Sequence, residues 1–353
     1  MSHELQFVNG EASYAGRKPA WHALGTVIKD LSYEQAMEKA HLADWNVRAE
    51  PFVAIPGSAD EIPDATPFRE LGGVTPEDFQ IIMRDNPATG TGEALGIVGG
   101  RYRAVQNEAA LAVAPFLEDL GATVETAGAI RGGRQVFLSL SLGGGFVLDP
   151  EGAGDRIQGY LLLRTSHDGS IAVEAAATWI RVVCANTFDV AIGQAVRAYK
   201  VRHTAKAPER LAEAQAILLR ANGYGQALSE LAQRLHQVPM TSGQFIEVAK
   251  TVYPEPESKR GKTLWTKKLD LLGDLFTGGG DVEYTLGNVS GTAWAGLNAM
   301  TERIDWHRKA RGGDGASIAA GASGFVPAVT AEKQTITDAV VSWAKAERPK
   351  VFA

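Results

Sequence analysis

The chain has 353 residues, of which 45% are hydrophobic and 22% are charged. Both fractions are close to those of ordinary globular proteins, which excludes wholesale disorder, and the length favours two domains or one large domain with additions. The single cysteine, Cys184, excludes a disulfide framework and a Cys-x-x-Cys metal or redox site. We see no secretory signal and no apolar run long enough to cross a membrane, so we expect a soluble, cytoplasmic protein.

The net charge of −6 conceals an uneven distribution along the chain. Residues 197–210, the first basic segment, carry a net charge of +4, and residues 258–268, the second basic segment, carry +5. The remainder of the chain therefore carries −15. An acidic protein with two basic segments is typical of a directed contact with an anion.

The N-terminal region, residues 1–93, is rich in turns. Ser32 and Gln35 have the spacing of a capping box, which predicts a helix that ends near Leu42. Prolines then interrupt the chain repeatedly, and they predict loop and short strand over residues 51–80.

The middle region, residues 94–204, has the pattern of an antiparallel core. Its alternating segments predict three hairpins, which pair 94–98 with 102–106, 124–130 with 135–142, and 157–164 with 171–178. Asn107 is expected to cap a helix that ends near Leu120. A second helix, over residues 179–192, should pack back onto the sheet.

The rest of the chain is expected to be mainly helical over residues 205–310, with one helix beginning near Pro208 and others over 242–253 and 290–308. A Gly/Ala-rich loop at 311–330 precedes a C-terminal helix within 331–353. The inner face of the helix over 290–308 is expected to consist of Trp294, Leu297, Thr301 and Ile304. The predicted class is therefore α+β, with antiparallel β-hairpins covered by helices and a mainly helical C-terminal part.

The sequence lacks the common catalytic signatures. Gly261-Lys262-Thr263 is similar to the end of a phosphate-binding loop, but Pro256 stands where that loop needs a glycine. Cys184 has apolar neighbours, which favour a buried small side chain over a thiol nucleophile. No histidines have metal-ligand spacing, so we expect no catalytic residue, metal or cofactor. A hydrolase or nuclease that uses a divalent ion stays open, and convergence of His203, Asn186 and a carboxylate would favour it.

The two basic segments support the leading functional hypothesis. Lysine and arginine neutralise phosphates, and an aromatic side chain among them offers a surface on which a base can stack. We expect both segments to converge on one nucleic-acid-binding surface; the alternative is that both are solvated faces with core aromatics. The candidate residues are Arg197, Tyr199, Lys200, Arg202, His203, Lys206 and Arg210 in the first segment, and Lys259, Arg260, Lys262, Trp265, Lys267 and Lys268 in the second.

Four stretches, at residues 19–26, 102–107, 181–188 and 202–204, carry a resemblance to a known family. The chain resembles, over nearly its whole length, the phage/plasmid-like proteins of a large family of unknown function found in phages, plasmids and actinobacterial islands. One departure is Ala23, which follows the Trp-His pair where the family has glycine. The resemblance implies no settled activity, but it implies a bacterial host and a role in DNA replication, recombination or host takeover.

The hairpins followed by a helix are also similar, in architecture alone, to the single-strand annealing recombinases, although fold analogy is weak support for function. We therefore expect a non-catalytic protein that binds nucleic acid, principally single-stranded DNA, in recombination or replication. It is expected to have no membrane partner and to form homo-oligomers. The alternative is a protein-interaction or assembly module that modifies a host or phage complex.

Overall fold

The structure is a computed structural model, and it describes residues 7–8, 11–12, 14–15, 26–27, 31–55, 73–181, 186–188, 198–206, 221–280, 284–307 and 327–352. In chain order, its strands are β1 (Phe7–Val8), β2 (Glu11–Ala12), β3 (Tyr14–Ala15), β4 (Thr26–Val27), β5 (Arg48–Glu50), β6 (Phe79–Asp85), β7 (Gly92–Gly99), β8 (Thr123–Ile130), β9 (Gln135–Leu148), β10 (Asp155–Ser166), β11 (Val173–Arg181), β12 (Asn186–Phe188) and β13 (Ala198–Val201). Its helices are α1 (Tyr33–Lys39), α2 (Asn107–Ala110), α3 (Val113–Asp119), α4 (Ala221–His236), α5 (Ser242–Val252), α6 (Lys259–Thr277), α7 (Ala293–Trp306), α8 (Pro327–Glu347) and α9 (Pro349–Phe352). The predicted class, α+β with antiparallel hairpins and a helical C-terminal part, is confirmed.

The large sheet has the strand order β12-β11-β10-β9-β8-β3-β4, and β13 also pairs with β11. Two of the predicted hairpins, β8–β9 and β10–β11, form its centre and are confirmed. Their turns use residues that tolerate a left-handed backbone, with Gly132 and Gly133 between β8 and β9, and Gly169 between β10 and β11. All pairs in this sheet are antiparallel except β3 with β4.

The other predicted hairpin is wrong. β7 pairs with β6 rather than with residues 102–106. β5 pairs with the other edge of β6 and completes a small three-stranded sheet, which extends across the boundary predicted at residue 93. Polar groups of residues 102–106 instead form hydrogen bonds with residues that are distant in sequence. The Gln106 side chain accepts from the Val47 backbone N–H at 2.9 Å and donates to the Val47 carbonyl at 2.6 Å. A side chain thus takes the place of a strand partner, which strand periodicity does not reveal.

The helix predicted over residues 179–192 is also wrong where the structure describes it. Trp179–Arg181 continue β11, and Asn186–Phe188 form β12, which pairs with them in antiparallel register. Trp179 is aromatic and Ile180 is β-branched, and side chains of both kinds fit a pleated sheet well. Residues 182–185, with Cys184, lie outside the described residues, as do 189–192, the Trp21-His22 pair and the predicted helix start at Pro208.

The capping box of α1 is confirmed, although that helix ends at Lys39. Asn107 does not act as a cap: it lies inside α2, and the predicted helix is interrupted between α2 and α3. The buried Asn107 amide donates to the Leu42 carbonyl at 2.8 Å. Asn107 therefore joins α2 to the chain that follows α1.

The helices of the C-terminal part pack against one another and onto the large sheet, with α4 on β9 and α7 on β12. The predicted inner face of α7 is confirmed, since Trp294, Leu297, Thr301 and Ile304 are all buried. The Trp294 indole N–H donates at 3.0 Å to Asp155, a fully buried carboxylate at the start of β10. Helix α8 begins at Pro327, within the predicted Gly/Ala-rich loop. In the part of the chain that is described, no helix is long and apolar enough to cross a membrane.

Candidate functional site

A cleft of about 1150 Å³ opens where the small sheet meets the β10–β11 turn and the end of β13. The close approach of these walls depends on Gly96 in β7, because a Cβ atom there would lie 2.8 Å from the Asp168 Cα. Asp168 is held as a turn residue, since its Oδ1 accepts from the Ser170 backbone N–H at 2.9 Å. The β10–β11 turn is therefore seated directly on β7, and the two sheets share one opening.

Tyr102 and His203 form part of the cleft lining. Their rings stack with centroids 4.7 Å apart and planes inclined by 13°, and the Tyr102 hydroxyl donates to the Ser166 carbonyl at 2.8 Å. The Arg103 backbone N–H also donates to the His203 carbonyl at 3.0 Å. Burial lowers the pKa of the His203 imidazole to about 4. His203 is therefore neutral at pH 7 and cannot act as a phosphate-binding cation.

Beneath the cleft lies a second buried histidine, His167. Its Nε2–H donates to the Asn107 side-chain oxygen at 2.8 Å, a direction set by the bond of the Asn107 amide to Leu42. Burial above all, then the nearby His203 and Arg84, lowers the pKa of His167 to about 3. The Arg84 guanidinium itself stacks on the Trp45 ring at 4.0 Å. His167, Trp45 and Arg84 therefore form a packed layer, in which Arg84 also pairs with Glu93 at 2.7 Å.

Three basic side chains line the cleft: Arg101, Lys200 and Arg202. Lys200 pairs with Glu174 at 2.8 Å, and the same buried carboxylate accepts from Arg164 at 2.6 Å. Glu174 therefore accepts from both Lys200 and Arg164. Within the described residues, Arg101 and Arg202 form no ion pair. The lining also contains three carboxylates, of which Glu77 and Asp78 precede β6 and Asp168 lies in the β10–β11 turn.

The cleft also exposes apolar surface on the small sheet. Phe79 is 53% exposed and Ile97 is 56% exposed, unusual values for side chains of their size on a sheet. The pairing register places Phe79 opposite Gly99 and Ile97 opposite Ile81, so Phe79 and Ile97 lie on the same face of the sheet. Because Gly99 has no side chain, it covers no part of the Phe79 ring. Phe79 was not among the predicted site residues, because residues 51–80 were expected to form loop and short strand.

Four candidate residues of the first basic segment have side chains that the structure describes, and they do not all line the cleft. Lys200, Arg202 and His203 line the cleft, whereas Lys206 is exposed and is not part of its lining. Tyr199 belongs to β13, but its side chain lies outside what the structure describes, as do Arg197 and Arg210.

The second basic segment forms the first turns of α6, after Ser258 as N-cap, and none of its residues lines the cleft. Lys262 pairs with Glu255 at 2.9 Å, and the Lys268 ammonium lies 4.3 Å from the Tyr253 ring centroid. The Trp265 indole N–H donates to the Tyr253 carbonyl at 2.7 Å, and the ring is half-buried. The remaining three cations, Lys259, Arg260 and Lys267, are exposed.

The described residues also bear on the hydrolase or nuclease alternative. No group of three or more His, Cys, Asp and Glu side chains among the described residues is placed to hold a metal ion. His203 Nε2 lies 3.2 Å from the Thr165 hydroxyl, whereas His203 Nδ1 has no hydrogen-bond partner among the described residues. The Asn186 side chain, which the hydrolase alternative would need beside His203, lies outside the described residues.

No curated protein and no solved structure matches the chain. Residues 94–323 match a family described as Domain of unknown function (DUF932). This range includes most of β7, all of β8–β13, helices α2 to α7 and most of the cleft lining. Because the match covers more than half of the chain, the protein belongs to the DUF932 family.

Proposed function

We propose that the protein binds single-stranded nucleic acid, principally DNA, in the cleft between the small sheet and β13, without catalysis. The observation that carries this proposal is the uncovered ring of Phe79 in the same cleft as Lys200 and Arg202. An unpaired base needs an aromatic face on which to stack, and the adjoining phosphates need cations. In a duplex the bases are stacked on one another, so an aromatic wall favours a single strand.

The distribution of charge across the cleft gives the strand an orientation. Phosphates lie beside Arg101, Lys200 and Arg202, and a base stacks on Phe79, since all four side chains line the cleft. Asp78 and Glu77 are on the base side, where carboxylates accept hydrogen bonds from exocyclic amines. The carboxylates therefore reduce the overall attraction for phosphate while they favour bases that carry an amine.

The resemblance to phage and plasmid proteins supports a role for this binding in recombination or replication of mobile DNA. Two of the stretches that carry the resemblance, residues 102–107 and 202–204, come together at the cleft through the Tyr102–His203 stack. A protein-interaction role for the cleft is the alternative, and it predicts no affinity for oligonucleotides.

The test is a fluorescence anisotropy titration with a labelled single-stranded oligonucleotide at low salt. We expect binding that weakens with salt, and Arg202→Ala should reduce the slope of log affinity against log salt by about 0.7, the value for one lost phosphate contact. Arg156→Ala is the matched control, since Arg156 is exposed on β10 and outside the cleft lining. Absence of binding at low salt, or equal losses in the two variants, would contradict the proposal.

A second pair of variants tests the stacking surface. Phe79→Ala should cost about 1–3 kcal/mol of binding free energy for a single strand, whereas Phe79→Trp should retain affinity. Because Phe79 is 53% exposed, neither change should unfold the protein. A duplex of the same sequence should bind more weakly than the single strand, and Phe79→Ala should leave duplex binding unchanged. Tighter duplex binding would refute the assignment to single strands.

A further inference from the structure

Lys200 belongs to a row of three charged side chains that crosses three strands of the large sheet. Arg164 of β10 lies directly opposite Glu174 of β11, and Glu174 lies directly opposite Lys200 of β13. Directly opposite residues of antiparallel strands project from the same face of a sheet. The three side chains therefore lie side by side, in an order that the strand register fixes.

The Glu174 carboxylate uses a different oxygen for each of its two neighbours. Oε2 accepts from the Arg164 Nε–H at 2.9 Å and from the Arg164 Nη2–H at 2.6 Å. Oε1 lies 2.8 Å from the Lys200 ammonium. Because both Arg164 donors belong to one planar guanidinium, they fix the orientation of the carboxylate, and Oε1 is the oxygen that faces Lys200.

Exposure to solvent changes sharply along this row. The side chains of Arg164 and Glu174 are 9% and 4% exposed, whereas that of Lys200 is 64% exposed and lines the cleft. An ion pair with a well-exposed lysine adds little to the free energy of unfolding. It does restrict a long side chain, whose conformational freedom would otherwise be lost when a phosphate binds.

The other two cations of the cleft lining lack such a restraint. Arg101 and Arg202 form no ion pair within the described residues. The Lys200 ammonium has three N–H donors, and its contact with Glu174 uses one of them. A phosphate can therefore bind the Lys200 ammonium without displacing it from Glu174.

We propose that Glu174 is a positioning residue for phosphate binding, which holds the Lys200 ammonium in place on the cleft lining while Arg164 holds Glu174. The inference rests on the proposed function, since it assumes that a phosphate of single-stranded DNA lies beside Lys200. Lys200 then makes a contact that is ordered before binding, whereas Arg101 and Arg202 become ordered only on binding. The consequence is that removal of an acidic residue, Glu174, makes Lys200 a weaker contact for an anion.

The test is a double-mutant cycle of Glu174→Gln with Lys200→Ala, measured by the anisotropy titration with a single-stranded oligonucleotide at low salt. We expect Lys200→Ala to reduce affinity on the order of tenfold in the wild type, and on the order of threefold or less in the Glu174→Gln background. The matched control is Arg202→Ala, which should reduce affinity equally in both backgrounds because Glu174 does not pair with Arg202. Comparison within each background cancels the change in charge that Glu174→Gln introduces.

A second measurement leaves the buried pair of Arg164 and Glu174 intact. Acylation of the free wild-type protein, followed by mass spectrometry, compares Lys200 with Lys206, which is exposed and outside the cleft lining. Lys200 should react on the order of threefold more slowly or less readily still, because its ammonium is held by the Glu174 carboxylate. Equal reactivity would overturn the proposal even if Glu174→Gln failed to fold.

The outcomes of the cycle separate this inference from the proposed function. Equal effects of Lys200→Ala in the two backgrounds would overturn the inference, and a larger effect in the Glu174→Gln background would show that Glu174 neutralises Lys200 instead. In both cases the wild type still binds the oligonucleotide, so the proposed function is retained. If the wild type does not bind at low salt, the proposed function and this inference both fail.

Discussion

The Tyr102 ring stacks on the His203 imidazole at 4.7 Å, and this contact joins the segment before α2 to the segment that follows β13. The two residues are about one hundred positions apart in sequence, yet each lies within a few residues of cleft-lining cations. Arg101 precedes Tyr102, and Arg202 precedes His203. The stack therefore sets the spacing of two arginines that the proposed function assigns to phosphate binding.

This relationship predicts different outcomes for two substitutions of Tyr102. Tyr102→Phe keeps the stack and loses the hydrogen bond to the Ser166 carbonyl, so it should lower the free energy of unfolding by about 1 kcal/mol and leave oligonucleotide affinity unchanged. Tyr102→Leu loses the aromatic contact as well and should cost about 1 kcal/mol more. It should also weaken binding, because the two arginines lose their fixed spacing. Urea unfolding and the anisotropy titration together check this, and equal binding by both variants would contradict it.

The two buried histidines predict a dependence of stability on pH. Their folded-state pKa values, about 4 for His203 and about 3 for His167, lie below the ordinary value of 6.5. Between these values the unfolded chain binds more protons than the folded chain, so the stabilisation is complete above about pH 6.5 and is lost as the pH falls. The loss approaches about 1.4 kcal/mol per pH unit for each histidine.

Urea unfolding of the wild type and of His203→Gln at pH 7, 6 and 5 measures this contribution. Carboxylates titrate alike in both proteins, so the difference between their pH slopes isolates His203. The variant should lose stability less steeply on acidification than the wild type. Parallel curves would show that His203 becomes protonated in the folded state as readily as in the unfolded state.

The central hairpins were predictable from sequence because their information is local. Residues 131–134 and 166–169 combine turn residues with flanking strands that pair directly across the turn. The strand at Trp179–Arg181 and the extended chain at 102–106 were not predictable in this way. Trp179–Arg181 lie at the end of the β10–β11 hairpin that is farthest from its turn, and residues 102–106 depend on Val47 and His203, which are distant in sequence.

The candidate site was predictable in part for the same reason. Lys200 and Arg202 stand out as local charge, and both line the cleft. Phe79 carries no local signal, because its exposure follows from the opposite Gly99 and from the seating of the β10–β11 turn on Gly96. The second basic segment stands out as local charge too, yet it lies on α6 and outside the cleft lining.

The β8–β9 turn predicts a contrast between two adjacent glycines. Gly132 and Gly133 both have a left-handed backbone, so alanine at either position should cost about 1 kcal/mol. A Cβ atom at Gly132 meets nothing within 4 Å, whereas one at Gly133 would collide with the Arg84 guanidinium. Gly133→Ala should therefore displace Arg84 from the Trp45 ring and from Glu93 and cost more than Gly132→Ala. Thermal unfolding compares the two, and equal changes in melting temperature would contradict the seating of Arg84 on this turn.

Helices α7 and α8 are joined by a buried ion pair, in which the Lys333 ammonium lies 2.6 Å from the Asp305 carboxylate. Lys333→Met should lower the free energy of unfolding by about 3–5 kcal/mol, because it leaves the buried Asp305 charge without this partner. The double variant Lys333→Met with Asp305→Leu should recover most of that loss, since both charges are then absent. The exposed pair of Lys250 and Glu247 is the control, and Lys250→Met should change stability by less than about 1 kcal/mol. Urea unfolding of these variants measures the coupling, and a double variant no more stable than Lys333→Met would show that burial of the charge is not the source of the loss.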